Sequence, residues 1–200
     1  LEPSIRRPDG VNAVPVLQFI DRLVNGAGYC RELARPMASP KLVDLIRELV
    51  FDDVRVEPLD EILDVNHVGT CDQACYRCLL RYRNQPFHGL LDWQLGLAYL
   101  QVLLNPDFSV GLDGDFSARG MSEWPRWADT YARRIVRLYG GEVTTYGKLS
   151  GVRGVTKLSK PILVVHPLWN RDEPGEILRS AMEEAALDTG EAPLVADSFD

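Results

Sequence analysis

Three cysteines fall within eight residues, Cys71, Cys75 and Cys78, in the segment CDQACYRCLLRYRNQPFHGLLDWQL that runs from Cys71 to Leu95. A C-x3-C-x2-C spacing converges sulfurs on one point instead of spreading them along a helix or strand, and converging thiolates are metal ligands. The chain has 4 cysteines. The fourth, Cys30 in NGAGYCREL, completes a tetrahedral four-thiolate set if the chain closes a loop of about forty residues, and loop closure costs only the logarithm of loop length. His67 is the alternative fourth ligand if Cys30 stays out.

Other chemistries for this cluster are buried thiols, a disulfide framework or an iron–sulfur cluster. Four cysteines in 200 residues are sparse for a disulfide scaffold, and no secretory leader is evident in the sequence. C-x3-C-x2-C is also the iron–sulfur spacing of radical S-adenosylmethionine enzymes. Those place an aromatic residue just before the last cysteine, where this chain has Arg77, with Tyr76 one place earlier. The repeated strand and helix units of their barrel are missing too, so structural Zn2+ is the expected ion.

An apolar fraction of 46% supports a real core, and no apolar run reaches the ~20 residues of a membrane helix. The expectation is a soluble, cytoplasmic protein with no membrane partner. The net charge of −7 does not decide for or against nucleic acid, because residues 71 to 139 carry 8 basic and 7 acidic side chains and the acidic excess lies elsewhere.

Along the chain, residues 1–13, with Pro3, Pro8 and Gly10, read as a linker, and Val14 to Ile20 as a strand. The glycines of NGAGY suit a packed loop or a phosphate. Ser39 and Pro40 open a helix with Leu42, Leu45, Ile46 and Leu49 on one face. Leu59 to Val65 suggests a short helix. Pro86 to Leu104 is predicted as one helix, apolar around most of its circumference and central to the core. Asp113 and Asp115 suit a solvated turn better than a calcium loop. Ser122 is predicted to cap a helix carrying Trp124, Trp127, Ala128, Tyr131, Ile135 and Leu138 as an apolar stripe that ends at Gly140, with Arg126, Arg133 and Arg137 on its other side. Strands are predicted at Glu142 to Tyr146 and Pro161 to His166, a helix after Pro174, and a last strand from Leu194 to Phe199. This order is α/β: a mixed sheet with packed helices and a four-cysteine zinc-binding module. The expected division is linker 1–13, zinc-binding core 14–105 and a C-terminal part, 106–200, of the same domain, all one fragment of a larger protein.

NGAGYC, then H-x3-C-D-x2-C-Y-x-C-L, Y-x-N and H-x2-L-D-W, resemble the MrfA-like zinc-binding domain at the C-terminus of certain superfamily 2 helicases, including subunits of bacterial antiphage defence systems. The matching positions are Asn25, Gly26, Gly28, Tyr29 and Cys30, then His67, Cys71, Cys75, Tyr76, Cys78, Leu79, Tyr82, Asn84, His88, Leu91, Asp92 and Trp93. They are dense from residue 20 to 100 and thin out afterwards, although VVHPLW and ADSF look like the family's tail. The resemblance implies a helicase accessory domain in which Cys30, Cys71, Cys75 and Cys78 hold zinc. Its implied partners are single-stranded or unwound nucleic acid, with DNA favoured, the motor domains of the parent chain and other defence-system subunits.

The chain itself contains no G-x4-G-K-[ST] loop and no DExH box, so ATP hydrolysis belongs to the parent. A four-cysteine zinc site is closed to water and supplies no nucleophile. His88 and Asp92 could form an acid/base pair, but a helix cap and a structural hydrogen bond fit them better. His166, in an apolar strand, reads as a satisfied buried histidine. No catalytic residue is assigned.

Candidate nucleic-acid contacts are Arg77, Arg81, Tyr82 and Arg83 beside the cysteines, with Tyr76 interleaved, and a second basic run of Lys148, Arg153, Lys157 and Lys160. Guanidinium groups serve the phosphates and rings the bases. The competing reading packs the tyrosines under the metal and pairs the arginines with Asp72 and Asp92. In function, the rival of the strand-guiding domain is a protein-interaction scaffold that touches no nucleic acid.

Overall fold

The computed structural model describes residues 2–6, 16–20, 44, 47, 59–105, 107–118, 120–156 and 158–199. The chain divides into two compact units, Leu1–Val54 and Arg55–Asp200. The span 14–105, predicted as one core, is therefore shared between them, while 55–105 and 106–200 belong together.

In the first unit β1 (Glu2–Arg6) pairs antiparallel with β2 (Val16–Ile20), Ser4 facing Gln18. Part of the expected linker is thus a strand. A two-stranded ladder is all edge, where a proline such as Pro3 is tolerated. Asp44 and Arg47 are helical, within the helix predicted from Ser39. The NGAGYC loop, including Cys30, lies outside the described residues.

The second unit begins with two short helices, α1 (Leu59–Leu63) and α2 (Val65–Val68), and continues through the cysteine segment into a 3-10 helix, Tyr82–Leu90. α3 spans Trp93–Leu104. The single helix predicted from Pro86 to Leu104 is therefore broken. Leu91 and Asp92 are extended, and the Asp92 carboxylate accepts the Leu95 N–H at 2.9 Å as the N-cap of a new helix. Nor is α3 buried all round. It buries Trp93, Gln94, Leu97, Ala98 and Gln101, whereas Tyr99, Val102 and Leu103 face outward.

The central helix is α4 (Trp124–Tyr139), which buries Trp124, Trp127, Ala128, Ala132 and Ile135 at helical spacing. Trp127 stacks on Trp124 at 5.5 Å and on Tyr131 at 5.3 Å between ring centroids. Its cap position is Glu123, without a side-chain cap bond, and Leu138, predicted in the buried stripe, is exposed. Gly140 ends the helix with φ 77°, a conformation that costs other residues strain.

A four-stranded sheet follows, in the order β3 (Glu142–Tyr146), β4 (Leu149–Arg153), β5 (Ile162–Val164), β6 (Leu194–Ala196). The first three are antiparallel, and β6 runs parallel to β5 after the crossover helix α5 (Glu176–Thr189). Val152, Leu163, Val164, Leu178 and Ala181 pack with the α4 stripe into one core. The architecture is α/β with a mixed sheet, as the element order predicts.

His166, two residues past β5 and beyond the end of the strand predicted through it, is buried edge-on against Trp124 at 4.8 Å, and its Nδ1 accepts the Leu168 N–H at 3.2 Å. Burial pushes its pKa down to about 4, so the folded state holds it neutral. Between an unfolded value near 6.5 and that folded value the unfolded chain binds more protons, and stability falls with falling pH. Urea denaturation should show a loss approaching about 3 kcal/mol between pH 6.5 and 4. His166→Asn, which keeps an acceptor for Leu168, should remove most of that dependence.

Candidate metal centre and its arginine–tyrosine rim

α2 is a single turn, opened by Asp64, whose carboxylate accepts the Asn66 N–H at 2.9 Å. That turn sets His67 inward, fully buried, four residues before Cys71. Its Nδ1 lies 2.9 Å from the Ile62 carbonyl oxygen. A carbonyl only accepts, so Nδ1 carries the proton and Nε2 turns its lone pair to the cysteines, as in ligating imidazoles. Trp93 flanks the ring at 5.6 Å.

The donor atoms of His67, Cys71, Cys75 and Cys78 all lie within 4.8 Å of one another. Cys71 Sγ and Cys78 Sγ are 3.9 Å apart, Cys78 Sγ and Cys75 Sγ 3.8 Å, and Cys75 Sγ and His67 Nε2 3.4 Å. A tetrahedron with metal–sulfur bonds near 2.3 Å and a metal–nitrogen bond near 2.0 Å requires sulfur–sulfur edges of about 3.8 Å and sulfur–nitrogen edges of about 3.5 Å. The three thiols are free. Three soft thiolates and one imidazole thus meet at spacings that fit one metal ion. Cys30, predicted as the fourth ligand, lies outside the described residues.

Backbone bonds prepare the site. The Cys75 N–H donates to Cys78 Sγ at 3.1 Å, and the Cys75 carbonyl accepts from the Cys78 and Leu80 amides at 3.1 and 3.0 Å. Burial, reinforced by the neighbouring thiols, pushes the Cys71 thiol up to about 12. Burial raises Cys75 as well, but the Arg77 backbone N–H, together with the Cys71 thiol and the Cys78 backbone, outweighs it and brings Cys75 down to about 7. Cys75 is therefore readier than Cys71 to lose its proton to a metal.

Two further contacts tie the knuckle to the rest of the unit. Trp93 Nε1 donates to the Cys71 carbonyl at 3.0 Å, and the Trp93 amide donates to the Gln73 carbonyl at 3.0 Å. Asp72 faces α4, where Arg126 approaches it at 3.2 Å and Arg134 at 3.7 Å. Sequence reasoning missed both α4 partners, because they are more than fifty residues away and no local spacing signals them.

The rim of the site carries the predicted arginines and tyrosines. Tyr76 is 67% and Tyr82 83% exposed, so neither packs under the metal. Arg77, Arg81 and Arg83 are exposed as well. Arg81 Nη1 donates to the Tyr76 and Leu80 carbonyls at 3.2 and 2.9 Å, closing the turn. Asn84 braces that turn, accepting from the Arg81 amide at 2.8 Å and donating to the Leu79 carbonyl at 2.9 Å. His88 Nε2 sits 3.0 Å from both the Arg81 carbonyl and Asn84 Oδ1. His88 thus locks the 3-10 helix while Asp92 caps α3, as the structural reading of that pair predicts.

The second basic run is less available. Arg153 pairs with Glu142 at 2.6 Å and Asp188 at 3.6 Å, and Lys148 Nζ donates to the Gly114 carbonyl at 3.1 Å. Lys160 is exposed, and Lys157 lies outside the described residues. Asp113 and Asp115 form solvated turns, accepting the Asp115 and Ser117 amides at 3.0 and 2.8 Å. No described helix is long and apolar enough to cross a membrane.

Comparison of the chain with family models, with curated proteins and with solved structures gave no match in any of the three.

Proposed function

We propose that this chain is a zinc-stabilised accessory domain that guides a single strand of nucleic acid, DNA before RNA, for an ATP-driven superfamily 2 helicase. The zinc is structural and held by His67, Cys71, Cys75 and Cys78. The four donors fill a tetrahedron and leave no position for a reactive water. A thiolate site of this kind suits a reducing, cytoplasmic setting.

The observation that carries the reading is the exposed alternation Tyr76, Arg77, Arg81, Tyr82, Arg83 on a backbone held by the knuckle and by Asn84. Side chains that start from an ordered backbone lose less entropy on meeting a ligand, and rings alternating with guanidinium groups match the bases and phosphates of a single strand. The helicase parent and its defence setting rest on the sequence resemblance. Motor domains of that parent and other defence subunits are the corresponding protein partners.

The scaffold reading draws on the outward face of α3, where Tyr99, Val102 and Leu103 are exposed. Fluorescence anisotropy with labelled single strands separates the two. Strand guiding predicts binding whose log K falls against log salt with a slope of about −2, as expected for roughly three phosphate contacts. No binding, or binding indifferent to salt, would favour the scaffold.

A further inference from the structure

The arginine–tyrosine rim leads to an opening. His88 packs edge-on against Tyr76 at 5.9 Å, and its neighbour Gly89, with Gln73 of the knuckle, lines a cleft of about 440 Å3. Arg134, Ile135 and Leu138 of α4 and Ala196 of β6 form other walls. The volume lies within the roughly 300 to 1,000 Å3 of pockets that hold small molecules.

The lining offers apolar, hydrogen-bonding and cationic groups, and its one carboxylate, Asp197, is paired with Arg171. Ile135, Leu138 and Ala196 offer apolar surface to a ring, and the Gln73 amide offers both a donor and an acceptor to its edge. Ser198, also in the lining, has a buried hydroxyl oxygen with no protein partner. Arg134 reaches Asp72 only at 3.7 Å and is 47% exposed, so its five-donor fork keeps capacity for a phosphate.

We propose that this cleft takes in one unstacked nucleotide of the bound strand, the base against the α4 and β6 walls and its phosphate at Arg134. The proposal rests on the reading of the rim as the strand path and adds to it a fixed position at which a base leaves the stack. Bases of a single strand are splayed out in this way at small cost compared with a duplex.

Gly89 provides the test, because a Cβ built there meets nothing within 4 Å. Gly89→Trp sets a large ring at the rim of the cleft, with open space at its Cβ. Anisotropy with a short single strand should show binding at least tenfold weaker, with a salt slope within one phosphate contact of wild type and zinc content unchanged. Independently, abasic residues placed one at a time along the strand should reveal one position where losing the base costs wild type about tenfold, and that position should no longer matter in Gly89→Trp.

Equal affinity of folded, zinc-loaded Gly89→Trp and wild type overturns the proposal, as does an abasic scan in which all positions are equivalent. If Gly89→Trp does not fold, the scan on wild type decides alone. A wild-type protein that binds no strand removes the reading of the rim and the cleft proposal with it. Salt-dependent binding without a special position removes the cleft proposal only.

Discussion

Cys78→Ser is expected to abolish metal binding and to unfold the knuckle, residues 59–92, at a lower temperature than the rest of its unit. The apolar cluster that joins α4, α5 and the sheet contains Ala98 of α3 but neither Ile62 nor Trp93. The knuckle is thus left with its own few buried groups, chiefly Ile62, His67, Cys71 and Cys78, with Trp93 of α3 set against them. Short helices of five and four residues and a 3-10 helix cannot hold together on propensity alone. A metal held by His67 and the three cysteines would supply the difference, since apparent zinc affinities in comparable small sites reach roughly 10 kcal/mol or more.

Cys78 is the most buried of the three thiols and accepts the Cys75 amide, so its loss removes a ligand and a backbone contact together. Hydrogen exchange should show loss of protection at the amides of positions 71, 78 and 80 by at least a hundredfold, about 2.7 kcal/mol or more. Protection at Val152 and Leu163 in the sheet should persist. A variant that keeps metal, or a single cooperative transition that takes the sheet down with the knuckle, would contradict this partition.

Arg77→Glu with Arg83→Glu should weaken single-strand binding at least tenfold, about 1.4 kcal/mol or more, and flatten the salt dependence by about two contacts. These two are the informative arginines. Arg81 spends its guanidinium on the Tyr76 and Leu80 carbonyls, so replacing it would disturb the turn and confuse binding with folding. Asp72, which could have neutralised the rim, is engaged with Arg126 and Arg134 on α4. Zinc content and thermal stability should stay at wild-type values in the double variant. Unchanged affinity in the folded, zinc-loaded double variant would move the strand path off the rim, first to Lys160 of the second run, which is exposed.

The parts of the fold that were legible in the sequence are those set by local pattern. The α4 stripe, the glycine stop at Gly140, strand β3 and the buried strand β5 follow from periodicity and turn chemistry. The break between Leu90 and Trp93 is only half legible, because Asp92 reads as a helix cap while Leu90, Leu91 and Trp93 carry the apolar pattern across it. The extended conformation of Leu91 and Asp92 shows that two helices meet there. For the site, C-x3-C-x2-C brings its own sulfurs together, and H-x3-C places His67 one helical turn before Cys71. Choosing between His67 and a distant Cys30 is a tertiary question that spacing cannot answer. The Ile62 carbonyl on His67 Nδ1 and the α4 arginines on Asp72 leave no motif at all, since one is backbone and the other lies far along the chain.

Extended X-ray absorption at the zinc edge of purified wild-type protein reads the donor set of the metal directly. About one zinc per chain is expected, with a first shell of three sulfurs near 2.3 Å and one nitrogen near 2.0 to 2.1 Å. His67→Ala should remove the nitrogen and most of the zinc. A shell of four sulfurs, with His67→Ala retaining the metal, would put a fourth cysteine in the place of His67 and contradict the site described here, and so would a brown protein carrying iron and sulfide.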